Sequence, residues 1–241
     1  MFDTGDVSNP DLPRAQIGLA SAVTSAAALV ERNDLLPTPA ALRPLLPDSG
    51  LRRGSTINVS GAGATSLAFA LLAETSAQGG WCAAVGVDTL GLLAAHHAGL
   101  NLSRLALVPA PGPDWPTVVA ALLDAFEIVV LATPGHISPR LQRRLAARVR
   151  ERGRVLVSLG SDELPHMPVD VRLVGTTAVW EGLGWGFGHL RSRQLQIRAE
   201  GRRLAGRTRH ATIWLPDADG RVTSDDAGGR SHDVLLVEAS A

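Results

Sequence analysis

Lysine is missing from the sequence altogether, so every strongly basic side chain is an arginine. The lysine that neutralises the outer phosphates in a nucleotide-binding loop therefore has no counterpart anywhere in the chain. A GC-rich genome, whose codons favour Arg, Ala and Gly, accounts for the same bias without selection for function. Cysteine is almost as scarce. The single Cys82 excludes an internal disulfide, and its apolar run beside Trp81 reads as a buried strand, as expected of a protein in a reducing cytoplasm. No stretch reaches the roughly 18 consecutive apolar residues of a membrane span, and no membrane partner is expected. Met1 to Asp11 carries Asp3, Asp6 and Asp11 in place of a basic n-region and apolar h-region, so it does not read as a signal peptide. Net charge is lacking too: at a formal charge of zero the molecule has no bulk attraction for nucleic acid, and DNA binding would need a local patch.

What remains is an ordinary globular composition, 45% hydrophobic and 19% charged over 241 residues, enough for one well-cored domain. Residues 1–50 read as an N-terminal helix, Leu12 to Leu36, followed by a linker carrying Pro37, Pro39, Pro44 and Pro47 and expected to run extended over the surface. From Ser55, strands and helices alternate. Strand-like runs are Thr56–Val59, Trp81–Val87, Leu105–Val108, Ile128–Ala132 and Val155–Leu159; helices are expected at Leu67–Ala77, Leu90–Ala98, Asp114–Ala125 and Pro139–Arg152. Short apolar strands without clean polar alternation suit a parallel sheet covered on both faces, an α/β sandwich. Beyond Gly160, strand-like runs follow one another at Val171–Trp180, Leu190–Ala199, His210–Leu215 and Val234–Val237, and hairpins added to one sheet edge would accommodate them. The core is thus expected over residues 51–216. Residues 217–241 are expected to form a mobile loop, rich in Asp, Gly and Ser, and a terminal strand.

Chemistry is expected where Ile57-Asn58-Val59-Ser60 runs through Gly61-Ala62-Gly63 into a helix opening at Ala64-Thr65-Ser66. A strand, a glycine turn and a helix start together face an anion with backbone N–H groups. The full phosphate-loop pattern is G-x-x-x-x-G-K-[ST]. Aligned on its end, Gly63-Ala64-Thr65 keeps the hydroxyl but has Ala64 where lysine belongs, and Gly61 lies two positions back instead of five. The metal-organising acid expected at the end of the strand Glu127–Thr133 is also missing, since the strand ends at Ala132. Both halves of an ATPase apparatus read as degenerate, so no ATPase activity, cofactor or metal is expected.

At these residues the chain resembles the ImuA-type, RecA-like accessory proteins of bacterial DNA-damage mutagenesis, particularly the short actinobacterial form called ImuA′. The resemblance is carried by Leu51-Arg52-Arg53-Gly54-Ser55-Thr56-Ile57-Asn58-Val59-Ser60-Gly61, Leu67 to Glu74, Gly79-Gly80-Trp81-Cys82-Ala83, Arg104 to Pro109, Trp180 to Gly184 and the segment starting His189-Leu190-Arg191. It spans roughly Leu51 to Leu215. It implies a RecA-like, mainly parallel sheet flanked by helices, with C-terminal antiparallel strands. It also implies a damage-induced adaptor that binds ImuB, an inactive Y-family polymerase homologue, and supports a DnaE-type error-prone polymerase, with RecA as a further candidate partner. SulA-type cell-division inhibitors belong to the same wider group, so division inhibition is the rival reading. An ATP-independent, DNA-binding RecA relative is the third.

Two further sets are candidate contacts. Arg191, Arg193, Arg198, Arg202, Arg203, Arg207 and Arg209 crowd between His189 and His210 against Glu200 alone, and would meet a phosphate backbone, an acidic partner or solvent. Arg191 and Arg193 share strand parity with Leu195 and Ile197, which concentrates charge toward the hairpin ends. Trp185, set among glycines with Trp180 and Phe187, reads either as a mobile apolar contact or as cover for the sheet edge. The arginines of Pro139–Arg152 read as a solvated face opposite Leu141, Leu145 and Val149. His96, His97, His136, His166 and His232 lack ligand spacing, and Ser158 to Glu163 offers no G-x-S-x-G, so neither a metal site nor a hydrolase is expected.

Overall fold

The structure, a computed structural model, describes residues 34–88, 91–132, 137–160, 168–183 and 188–225. The chain divides into two compact units, Met1–Leu35 and Leu36–Ala241, and the description below concerns the second. The body of the expected N-terminal helix, Trp185 and the expected strand Val234–Val237 lie outside the described residues.

Among the described residues nine strands form one sheet: β1 (Thr56–Gly61), β2 (Cys82–Val85), β3 (Leu105–Val108), β4 (Ile128–Ala132), β5 (Val155–Leu159), β6 (Val171–Leu183), β7 (Gly188–Glu200), β8 (Arg209–Trp214) and β9 (Thr223–Ser224), in the order β9-β8-β7-β6-β1-β5-β4-β2-β3. The strands from β6 to β3 in that order run parallel, and β7, β8 and β9 are each antiparallel to the neighbour before them. This is the helix-flanked, mainly parallel sheet with C-terminal antiparallel strands expected of a RecA-like core. The antiparallel part does not start where the sequence suggests, however. β6 is itself a parallel neighbour of β1, with Ile57 opposite Val171 and Gly61 opposite Gly175.

Among the described residues four α-helices cover the sheet: α1 (Ala64–Ala77), α2 (Leu92–His97), α3 (Trp115–Ala125) and α4 (Pro139–Arg152). Alternate residues of the strands feed two cores, as the period of two requires. Ile57, Val59, Cys82, Val130 and Val157 pack on the α1 side; Val85, Val129, Leu131 and Leu156 pack with α3 and α4. α1 is apolar around most of its circumference and correspondingly buried, with Leu67, Leu71 and Leu72 fully enclosed, each worth about 2 kcal/mol. α4 is the opposite case. Leu145, Ala146 and Val149 face inward, its arginines face outward, and Arg148 and Arg152 reach across to Asp124 of α3. Ser138 caps its start, accepting from the Leu141 N–H at 3.4 Å, and Gly153 ends it in the left-handed conformation.

The proline-rich segment departs from the expected surface linker. Its prolines break regular helix, but residues 40–45 coil as a 3-10 turn that sinks Leu42 and Leu45 into the core, joined by Leu46. Arg209 of β8 ties this segment down by donating from Nη1 to the carbonyls of Pro44 at 3.1 Å and Leu46 at 2.6 Å. The expected loop from Asp217 begins as an ordered turn, with Asp217 Oδ1 accepting from the N–H groups of Asp219 and Arg221.

Candidate functional site

Only Ala62 and Gly63 separate the last residue of β1 from the first of α1. Gly61 and Gly63 both take positive φ, +79° and +66°, which an L side chain resists. The turn is also closed from the side. The N–H of Ala62 donates to the carbonyl of Gly175 in β6 at 2.9 Å, and a Cβ on Gly175 would lie 1.9 Å from the Ala62 carbonyl oxygen. A phosphate loop needs several open N–H groups curling around an anion; here the turn is two residues long and one of its donors is spent on a neighbouring strand. Gly175 was not foreseen as part of the site. A glycine inside a strand pattern marks close backbone approach, and that signal was present in the sequence.

The helix beyond the turn keeps an anion-facing end. No side chain caps α1 at Gly63, and Thr65 is exposed with Ala64 and Ser66 half-exposed. Its first-turn N–H groups therefore lack a side-chain acceptor.

The structure places a cation directly against this end. β6 and β7 continue past the last residue of β1 as a two-stranded arm, in which Trp180 pairs with Arg193 and Leu183 with Gly188. From that arm the Arg193 guanidinium lies over Gly63, its Nη2 3.1 Å from where a Cβ of that glycine would be. Nε donates to the carbonyl of Leu215 at 2.7 Å, the backbone of Arg193 pairs with Leu215 and Pro216, and the Trp180 ring lies 5.0 Å beneath the guanidinium carbon. Arg193 is only 9% exposed, and burial pulls its pKa below the ordinary arginine value. Nη2 is buried without a hydrogen-bond partner.

A cavity of about 750 Å³ opens beside the start of α1, and its lining includes Leu215 and Pro216, the backbone partners of Arg193. Thr65, Ser66 and Phe69 of α1 form one wall, Ala95 and His97 of α2 another, and the arm contributes Leu190 and Arg191. Leu215 and Asp219 close the remaining side.

The other arginines are elsewhere. Arg202 and Arg203 both pair with Asp170, at 3.1 and 3.4 Å, and Asp170 also accepts from the Thr56 N–H, which places this cluster at the entry edge of the sheet. At about 3.4 Å per strand residue, some 30 Å separates it from Arg191. Arg198 is half-exposed and 3.8 Å from Glu200, Arg207 is exposed, and Arg209 is taken up by the carbonyls of Pro44 and Leu46. The seven arginines are therefore several sites with different surroundings. Ala132 ends β4 half-buried, with its carbonyl oxygen 2.5 Å from where a Cβ of Gly86 would be. Among the described residues no cluster of three or more His, Cys, Asp or Glu is placed to hold a metal, and no helix is long and apolar enough to cross a membrane.

Sequence reasoning also missed a polar web inside the sheet. Asn58 Nδ2 donates to Ser158 Oγ at 3.1 Å and to the Gly160 carbonyl at 3.3 Å, fixing the exit ends of β1 and β5 to each other. At the entry edge, Glu127 binds Arg53 and, at 2.7 Å, Arg154.

Comparison with known proteins places this arrangement in a family. A model described as the MT3502 N-terminal domain matches residues 44–166, a span containing the glycine turn and β1 to β5 but not the arm that carries Arg193. An uncharacterized protein of Mycobacterium tuberculosis (strain ATCC 25618 / H37Rv), Rv3395c, is 36% identical over 148 residues, which cover 58% of this chain and 71% of that protein. On these two matches the chain belongs to the MT3502 N-terminal domain family.

Proposed function

We propose that the chain is a non-catalytic, RecA-like adaptor of the ImuA type in DNA-damage-induced mutagenesis. It binds an ImuB-type polymerase homologue and supports a DnaE-type error-prone polymerase during translesion synthesis. The observation that carries the non-catalytic half is the two-residue turn from Gly61 to Ala64, whose Ala62 N–H is bonded to Gly175 in a chain without lysine. Triphosphate hydrolysis relies on a loop that encircles the phosphates, a lysine on the outer ones and an acid holding the metal. Gly63 is followed by alanine, and β4 ends in alanine.

The positive half is supported by the resemblance over Leu51 to Leu215 and by the arm. The exposed Leu190 and Arg191 of this two-stranded projection, beside the cavity, support the reading of a contact surface. The reading is tested in cells by deleting the gene and counting mutants after ultraviolet damage. Loss of damage-induced mutagenesis with unchanged spontaneous mutation supports the adaptor; an unaltered induced rate refutes it. Overproduction separates the rival, because a division inhibitor filaments cells and an adaptor does not.

A further inference from the structure

A guanidinium buried against the positive end of a helix is electrostatically costly unless an anion lies between them. Arg193 is in that position. It is nine-tenths buried, its Nη2 has no partner, and none of the ion pairs among the described residues involves it. The Trp180 face offsets a small part of this cost, and the Leu215 carbonyl satisfies only Nε. Asp219 is the acidic side chain lining the adjoining cavity, and no ion pair among the described residues joins it to Arg193.

The geometry points to a carboxylate site at the first turn of α1. The N–H groups of Ala64, Thr65 and Ser66 with the Arg193 guanidinium take an acidic side chain of a partner's extended segment, and the cavity takes the apolar side chain two positions along, on the same face of that segment. This rests on reading the chain as a partner-binding protein, and it names the chemistry of that partner's segment.

Three features select a single carboxylate over a polyphosphate. The turn is too short to wrap one, and its Ala62 donor is already bonded. Asp219 lines the cavity, and its repulsion grows with each negative charge brought in, so it weighs more against a polyphosphate than against one carboxylate. The walls beyond the first turn of α1 are chiefly apolar, with Phe69, Ala95, Leu190 and Leu215, which suits an aliphatic residue on the same face as the acid.

The site is tested by titrating the ¹⁵N-labelled full chain with a synthetic peptide carrying leucine two positions from glutamate with serine between them, with its leucine–glutamine counterpart, and with ADP. The glutamate peptide is expected to move the amide resonances of Ala64, Thr65 and Ser66, and the glutamine peptide to bind at least about thirtyfold more weakly. Arg193→Gln should abolish the response. Because that change is in the interior, Thr65→Glu provides a surface variant that places a carboxylate at the helix start without opposing the helix dipole, and it should block the peptide while keeping the fold. Equal binding of the two peptides, no movement of these amides, or tighter binding of ADP than of the glutamate peptide would overturn the assignment. A complex with the ImuB-type protein that Thr65→Glu leaves intact overturns this site while the adaptor reading stands. A positive titration without any such complex supports the site and removes the adaptor reading alone.

Discussion

Arg193 and Gly63 define each other's place: the guanidinium stands 3.1 Å from the point where a Cβ on Gly63 would be, a point that glycine, having no Cβ, leaves empty while it takes a φ of +66°. The turn before α1 is thus glycine for reasons of space as well as of backbone angle. Gly63→Ala is expected to lower stability by about 1–2 kcal/mol, through left-handed strain together with displacement of the buried guanidinium. Denaturant unfolding followed by circular dichroism checks it, and an unchanged midpoint would show that the close approach is not a constraint.

Gly175 allows no comparable adjustment, because its neighbour is backbone. A Cβ there would sit 1.9 Å from the Ala62 carbonyl oxygen, so β6 and the turn would have to separate. Gly175→Ala should cost more than Gly63→Ala, about 3 kcal/mol or more. Gly91→Ala is the control: among the described residues its Cβ would meet the Ala94 Cβ at 3.6 Å, and the change, made at the N-cap of α2, should cost about 1 kcal/mol or less.

Alkaline unfolding isolates one side chain. Burial, helped by the nearby negative charge of Glu127, pushes the Cys82 thiol from 9.0 up to about 12. In the unfolded chain the thiol ionises first, so its contribution to stability is intact below pH 9.0 and is lost as pH rises toward about 12. With no lysine and no tyrosine, Cys82 is the side chain whose ordinary pKa opens that window, and arginine enters only toward its upper end. Unfolding free energy should fall by up to about 1.4 kcal/mol per pH unit there, and Cys82→Ala should flatten the decline. Native Cys82 should also resist a thiol reagent at pH 8 until denaturant is added.

Ala64→Lys restores the missing amine without restoring the loop. The variant is expected to show no ATP turnover above buffer, because the turn remains two residues long and the Ala62 N–H remains bonded to Gly175. Measurable phosphate release would show that loop length does not limit this fold.

The alternating strands and helices from Thr56 to Leu159 were legible because each is a short apolar run ended by turn residues, and the buried strands needed only that pattern. The partnership of β6 with β1 was not, since it joins residues more than a hundred positions apart and nothing local to Val171–Leu183 states which strand lies beside it. The burial of Arg193 had a sequence signal. Its parity with Leu195 and Ile197 put all three on one face, and the structure buries all three. What the sequence lacked was the trace of the chain through Leu215 and Pro216, which closes over that face and holds the guanidinium. The seven arginines looked like one patch because they are close in sequence; about 30 Å of strand between Arg191 and the Arg202–Arg203 cluster sends their charges to opposite ends of the sheet.

The central claim is binding without nucleotide chemistry, and the most direct measurement is size-exclusion co-elution of the purified full chain with the ImuB-type protein of the same organism in nucleotide-free buffer. A stable complex, unaffected by added ATP and magnesium, is the predicted result. No complex under either condition, or one that forms only when ATP is present, would contradict the account.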